Sequence, residues 1–412
     1  MRSARPFDEL RASALRLFAA ASALALFGAC STRDIVASQQ SLPDSGVSGY
    51  CAGSGPPVLV GDGITVGDGD GAPDNVCSGT IAVRTFVHAL CTCEGYATST
   101  RLTTDSFDSA FGPYKPGGKA APVGIDGELQ TADVVDVGGA LVIAGAAGAS
   151  LLADLHVAGA LAIAGDLGKS NANVTVGADA KVAGNIDLSS LSVAGTLTVP
   201  TGRTLTGAIT AGQTVRAPVT VTPPCACGAS DLVDIAAFVA AHKTANDDAA
   251  IGLDPSRLTN YTGDTSLDLP CGIYYVGPIN GQGTLTLRIT GRVALLVDGD
   301  VTATDNLTAE LVTDDAELDL MIGGTLVSNA ALALGRADHP ARTRIYVGGA
   351  GTIQLSGDSQ LAANLYAPLA ALAVSGGAVV YGSLFARRLD QSAPVMIHYD
   401  VDILRTDVNC PP

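Results

Sequence analysis

Four short segments of this chain repeat one pattern at nearly constant spacing. They are Val137-Gly-Gly-Ala-Leu-Val-Ile-Ala-Gly145, Val157-Ala-Gly-Ala-Leu-Ala-Ile-Ala-Gly165, Val176-Gly-Ala-Asp-Ala-Lys-Val-Ala-Gly184 and Val193-Ala-Gly-Thr-Leu-Thr-Val199. The steps between their first valines are 20, 19 and 17 residues. A strand, a glycine turn and another strand recurring at that length is the signature of stacked β-solenoid coils. One coil buries little by itself, so the pattern makes sense only if neighbours share a core. The predicted fold is all-β, a right-handed parallel β-helix with one inserted amphipathic helix.

Composition agrees with thin coils. Gly contributes 49 of 412 residues, aromatics are 4 % and Trp is absent, so small and β-branched side chains must fill the interior. The glycines have no three-residue period, which excludes collagen. The formal charge of -17 repels nucleic acid and anionic lipid headgroups and favours a well-solvated surface or weak cation binding.

The N-terminus reads as an export signal over 1–29. Arg2, Arg5, Arg11 and Arg16 precede the apolar run from Leu17 to Phe27, and Gly28-Ala29-Cys30 follows. No other stretch has the roughly 20 apolar residues needed to span a bilayer. The end Leu26-Phe27-Gly28-Ala29-Cys30 resembles a bacterial lipobox, with Phe27 where Leu is usual. The resemblance implies lipidation of Cys30, with Ser31 suited to outer-membrane sorting; ordinary secretion is the alternative. Outer-membrane lipid is then the first expected partner, and the expected location is the outer membrane or cell surface.

Eight further cysteines remain: Cys51, Cys77, Cys91, Cys93, Cys225, Cys227, Cys271 and Cys410. An even number in an exported chain reads as disulfides, with the connectivity open among many pairings. Each Cys-x-Cys pair is expected to reach two different partners. A thiolate metal site is disfavoured because no His stands at finger spacing.

Residues 30–50 are polar and aperiodic, as in a tether. Residues 51–125 form a Cys-rich cap or irregular coils; within them Thr80-Ile-Ala-Val-Arg-Thr-Phe-Val87 alternates like a strand, and 96–125 has loop composition. Regular coils are expected over 126–220. Pro223-Pro224-Cys225-Ala-Cys227 then opens a linker, 221–267, holding a helix at about 230–246 capped by Ser230, with Leu232, Ile235, Ala236 and Val239 on one face. Looser coils follow over 268–401, and 402–412 reads as a tail.

Chemistry is sparse. Asp62, Asp68, Asp70 and Asp74 lie in a Gly-rich stretch and offer weak Ca²⁺ ligation, but their order matches no EF-hand and turn formation explains them better. Glu317 and Asp319 alternate onto one strand face and His398 opens an unusual His-Tyr-Asp run, so these three are the candidates for glycosidic acid–base chemistry. A structural histidine and a solvated carboxylate pair are the plainer alternatives. No P-loop, G-x-S-x-G or H-E-x-x-H element occurs, and no cofactor is expected.

Pro224-Cys225-Ala-Cys227, Leu269-Pro-Cys-Gly-Ile-Tyr-Tyr275, Gly291-Arg-Val-Ala-Leu-Leu-Val-Asp-Gly299, Asn364-Leu-Tyr-Ala-Pro368, Tyr381-Gly-Ser-Leu-Phe-Ala386 and Ile397-His-Tyr-Asp400 together resemble a poorly characterised extracellular domain of myxobacterial and pilus-associated proteins. The resemblance covers about 215–401, implies a β-helical surface domain and assigns no reaction. In coil style, 134–200 is similar to the polymer-forming bactofilins. The expected role is an exported, lipid-anchored envelope scaffold or adhesion protein without catalysis, whose partner is an envelope protein, pilus component or polysaccharide. A polysaccharide-cleaving β-helix enzyme is the alternative.

Overall fold

The computed structural model describes residues 51, 58–59, 76–168, 171–356 and 359–409. Cys30, Cys410 and the four aspartates Asp62, Asp68, Asp70 and Asp74 lie outside them. The described chain is dominated by a parallel network of 29 strands with a second sheet of 4, the parallel β-solenoid that the repeat predicted.

Each coil carries three strands, so the body has three walls. In one coil Ile279–Gln282 lies in the first wall, Leu285–Ile289 in the second and Arg292–Val297 in the third. In the other half Leu129–Thr131, Val135–Val137 and Leu141–Ile143 take the same three places. Val137, Val157, Val176 and Val193, the valines that defined the repeat, stack directly over one another in the second wall. Strand side chains alternate, so these valines face inward and their neighbours outward. Leu141, Leu161, Ala180 and Leu197 form the matching inward column of the third wall, and all are nearly inaccessible.

The coils do not run through the body in chain order. Leu90–Thr92 and Tyr96–Thr98 pair on one side with Leu384–Gln391 and on the other with Val123–Ile125 and Leu129–Thr131. Leu102–Phe107 likewise lies between Val395–Asp400 and Val135–Val137. The first coil of the N-terminal half therefore stacks on the last coil of the C-terminal half. One continuous spiral begins at Thr259, winds to Asp400, passes to Leu90 and ends at Arg216. Residues 90–107, read as a cap or irregular coils passing into loop, are strands in the interior of this stack. Their Ser- and Thr-rich composition misleads because Thr92, Thr98 and Thr104 are buried and their hydroxyls bond nearby carbonyls.

After the strand Leu205–Arg216 at one end, the chain must return the whole length of the body to start again at Thr259. It does so as a strap across the outer face of the third wall. Pro224 passes over Gly124, where a Cβ would lie 3.0 Å from both Cys91 Sγ and Pro224. The Val233 amide donates to the Tyr366 hydroxyl at 3.1 Å. At the far end the Asp247 amide donates to Ile273 O, while Asp247 and Asp248 carboxylates accept from the Ile273 and Tyr275 amides.

Three helices accompany these crossings. α1 (Ser78–Thr85) replaces the strand expected from Thr80 to Val87: Ile81, Ala82 and Phe86 are fully buried, a helical stripe rather than an alternation. α2 (Ile235–Ala241) lies in the strap and starts later than expected, because Asp234 and not Ser230 accepts from the Ala237 amide. A Cβ at Gly348, beneath it, would come within 3.2 Å of Ile235 Cβ. The short α3 (Asp248–Ile251) closes the strap. Residues Val401–Asn409, expected to be a tail, form a 3-10 helix packed on α1.

Candidate functional site

The polar groups singled out in the sequence fall into two places, both beneath or beside the crossings. The first is the buried outer face of the third wall. Asp319 stands opposite Arg344 on the next strand. Arg344 Nε donates to Asp319 Oδ1 at 2.6 Å, and Nη2 reaches Asp319 Oδ2 and Glu317 Oε2, each at 3.1 Å. Nη1 donates to Ala341 O at 2.9 Å. Arg344 and Asp319 are 3 % and 1 % exposed.

Burial alone would disfavour the Arg344 cation, but the attraction of Asp319 and Glu317 outweighs it and holds the guanidinium firmly protonated. Burial likewise pushes the Glu317 carboxyl up, and Arg344 with Arg292 more than reverses this and holds it below its ordinary value. Glu317 and Asp319 do share one strand face, as the alternation predicted. They converge on an arginine rather than on an open cleft, and a fork-to-carboxylate pair of this kind is a structural clamp. A glycosidase acid needs a raised pKa and reach to a sugar oxygen; Glu317 has the opposite shift.

The second place is the seam where Asp400 gives way to Leu90. His398, Tyr399 and Asp400 all act across it. His398 Nδ1 donates to Asp105 Oδ1 at 2.6 Å, and the Tyr114 hydroxyl donates to Asp105 Oδ2 at 2.6 Å. The Tyr114 ring stacks on the imidazole with centroids 4.0 Å apart, and Tyr381 and Phe107 close the cluster. Tyr399 donates to Phe86 O at 2.6 Å. Asp400 accepts from the Ser109 amide at 2.9 Å and the Ala341 amide at 3.2 Å. Burial raises the Asp400 carboxyl, and the Ser109 bonds only partly offset this.

On the first wall Gln391 Nε2 donates to Thr100 O, Thr100 Oγ1 and Arg101 O, while its Oε1 accepts from Tyr96. Arg387 pairs with Glu94 at 2.9 Å. The first and second walls of the seam are thus tied by side chains separated by some 290 residues of chain, among them the 293 between His398 and Asp105.

Cysteines complete the clamp. Cys91 bonds Cys225 and Cys93 bonds Cys227, so both Cys-x-Cys pairs reach different partners, as expected. They fix the strap to the seam coil itself. Cys51 bonds Cys271 in the coil at the strap's far end. The Cys77 side chain and Cys410 fall outside the described set. Three disulfides fit an oxidising, non-cytoplasmic compartment. Among the described residues no helix is long and apolar enough to cross a membrane, and no cluster of three potential metal ligands occurs.

Sequence reasoning missed one further class of functional carboxylate, the corner staples. Asp154, Asp166, Asp179, Asp264 and Asp300 each accept the backbone amide of a residue one coil later, Asn173, Asn185, Thr196, Thr284 and Thr325 respectively. The signal was present as an Asp followed by Asn or Thr at a coil's spacing. These five carboxylates are therefore structural.

No curated protein and no solved structure matches this chain. Residues 231–406, running from the strap through the C-terminal coils into the 3-10 helix, match a domain of unknown function, DUF7305, to which this part of the chain is similar.

Proposed function

We propose that the protein is an exported scaffold or adhesion element of the cell envelope, lipid-anchored through Cys30 in the outer membrane, with no catalysis of its own. The observation that carries this reading is the clamped seam. Two lengths of solenoid are joined into one rod by a strap, two neighbouring disulfides and side-chain ties on two walls. That construction suits a part that must keep its shape outside the cell. The use of Glu317 and Asp319 to hold Arg344 supports it further, since the best carboxylate pair is already engaged.

The resemblances to myxobacterial pilus-associated proteins and to bactofilin-like coils belong to this proposal. They direct the search for partners toward pilus components, other envelope proteins and polysaccharides. Incubating purified protein with envelope and extracellular polysaccharides should release no product. Release that is lost on Glu317→Gln, in a variant that still folds, would replace the scaffold with the polysaccharide-cleaving alternative. A Cys30→Ser form should leave the membrane fraction; unchanged partition would remove the lipid anchor.

A further inference from the structure

The seam has an outward feature that the clamp does not use. Between Asp105 and Asp126 the only other acidic residue is Asp108, so 109–125 contains no carboxylate and holds Lys115 and Lys119, in a chain with net charge -17. At the tip of this segment Phe111 is 85 % exposed, the most exposed large apolar side chain among the described residues. Both lysines are exposed as well.

The segment is held rather than loose. The Ser109 amide is bonded to Asp400, the Ala110 amide to Asp108 Oδ1 and the Phe111 amide to Asp108 O. Tyr114 is locked over His398 by its bond to Asp105, and the Ala120 amide donates to Ser106 Oγ at 2.9 Å. The backbone that carries Phe111 is therefore held, with the ring in solvent. The acids that touch the segment are also engaged: Asp105 accepts from His398 and Tyr114, Asp108 and Asp402 share the Arg405 guanidinium, and Asp400 accepts from the Ser109 and Ala341 amides. Leu404 on the adjoining 3-10 helix is 41 % exposed and extends the apolar character.

An exposed aromatic ring followed by two exposed lysines, on an otherwise acidic body, matches the chemistry of a bilayer interface. The ring enters the headgroup region while the ammonium groups meet anionic phosphates. We propose that the Phe111–Lys119 segment docks onto an anionic bilayer surface and so orients the rod against the membrane. This rests on neither the lipid at Cys30 nor the scaffold reading.

The absence of Trp from the chain makes the test local, even in full-length protein that has other membrane contacts. Phe111→Trp supplies a unique fluorophore at the tip, and Leu152→Trp supplies one at another exposed site, 69 % accessible, as control. Phosphatidylcholine vesicles with and without phosphatidylglycerol, carrying brominated acyl chains, report insertion. The Phe111→Trp emission should shift blue and be quenched on the anionic vesicles only, with apparent affinity falling about tenfold or more on adding Lys115→Glu and Lys119→Glu. The Leu152→Trp signal should not change. Unshifted emission from the tip overturns the proposal. So does quenching that survives charge reversal or is equal on zwitterionic vesicles, since the tip would then bind without anionic lipid.

Discussion

Cys91–Cys225 and Cys93–Cys227 each close 134 residues, yet they do not contribute equally and independently. In the chain-entropy account either bridge alone would be worth about 5 kcal/mol, because the closed loop is long. Once one is formed, the other closes only a small ring through 91–93 and 225–227, of about six residues, worth about 2 kcal/mol. Replacing one pair, Cys91→Ala with Cys225→Ala or Cys93→Ala with Cys227→Ala, should therefore cost only the small-ring value. Replacing all four should cost about 7 kcal/mol, more than the two pair replacements added together. Guanidinium unfolding without reductant, followed by far-UV circular dichroism, measures all three variants against the parent. Two pair replacements that each cost about 5 kcal/mol and simply add would refute the reasoning, since the bridges would then be constraining separate loops. A quadruple variant no weaker than a single pair would refute it equally, by showing that the strap holds without covalent help.

Arg344→Ala should destabilise the fold by about 3–5 kcal/mol in the same assay, because it strands the buried Asp319 carboxylate; Arg344→Met combined with Asp319→Leu should recover most of that loss. At Asp105, burial pushes the carboxyl up, but the His398 and Tyr114 hydrogen bonds outweigh it and hold it below its ordinary 3.8. A depressed carboxyl stabilises fully above its unfolded value and loses that contribution as pH falls through the lower folded value. His398→Ala should thus weaken the protein at about pH 5 and narrow its further loss on going to about pH 3, read from unfolding midpoints. Asp300→Ala removes the acceptor of the Thr325 amide and hydroxyl, at 2.7 and 2.9 Å. It should cost about 1 kcal/mol and speed exchange of the Thr325 amide roughly fivefold, as seen by hydrogen-exchange mass spectrometry.

The solenoid was legible because its information is local and repeated. Val137, Val157, Val176 and Val193 announce their own stacking, and the register places them one above another. The order of coils was not legible. Nothing in the repeat says that the chain leaves one end and re-enters at the other, since a strap is written once and has no period to detect. α1 was misread because Ile81, Val83, Thr85 and Val87 alternate while Ile81, Ala82 and Phe86 also form a helical stripe; burial against the 3-10 helix decides for the helix. For the candidate site, Glu317 and Asp319 were found together correctly, but their arginine lies one coil away, 25 residues after Asp319. Neighbours across a coil are invisible until the coil length is known, and in the C-terminal half that length varies. His398-Tyr399-Asp400 stood out for a sound reason, a polar run in a His-poor chain, and its partners sit almost three hundred residues upstream.

The seam also dictates a timetable. Residues 90–216 are synthesised before 384–400, yet the face of their opening coil stays bare until those later residues arrive. A chain truncated before Leu384 would lack not a tip but its middle. It would carry two unfinished strand edges facing each other and a strap with nothing to hold together. Completion is thus tested at the centre of the rod, and a passenger fused after Asn409 would emerge from its flank, beside α1, rather than from either end.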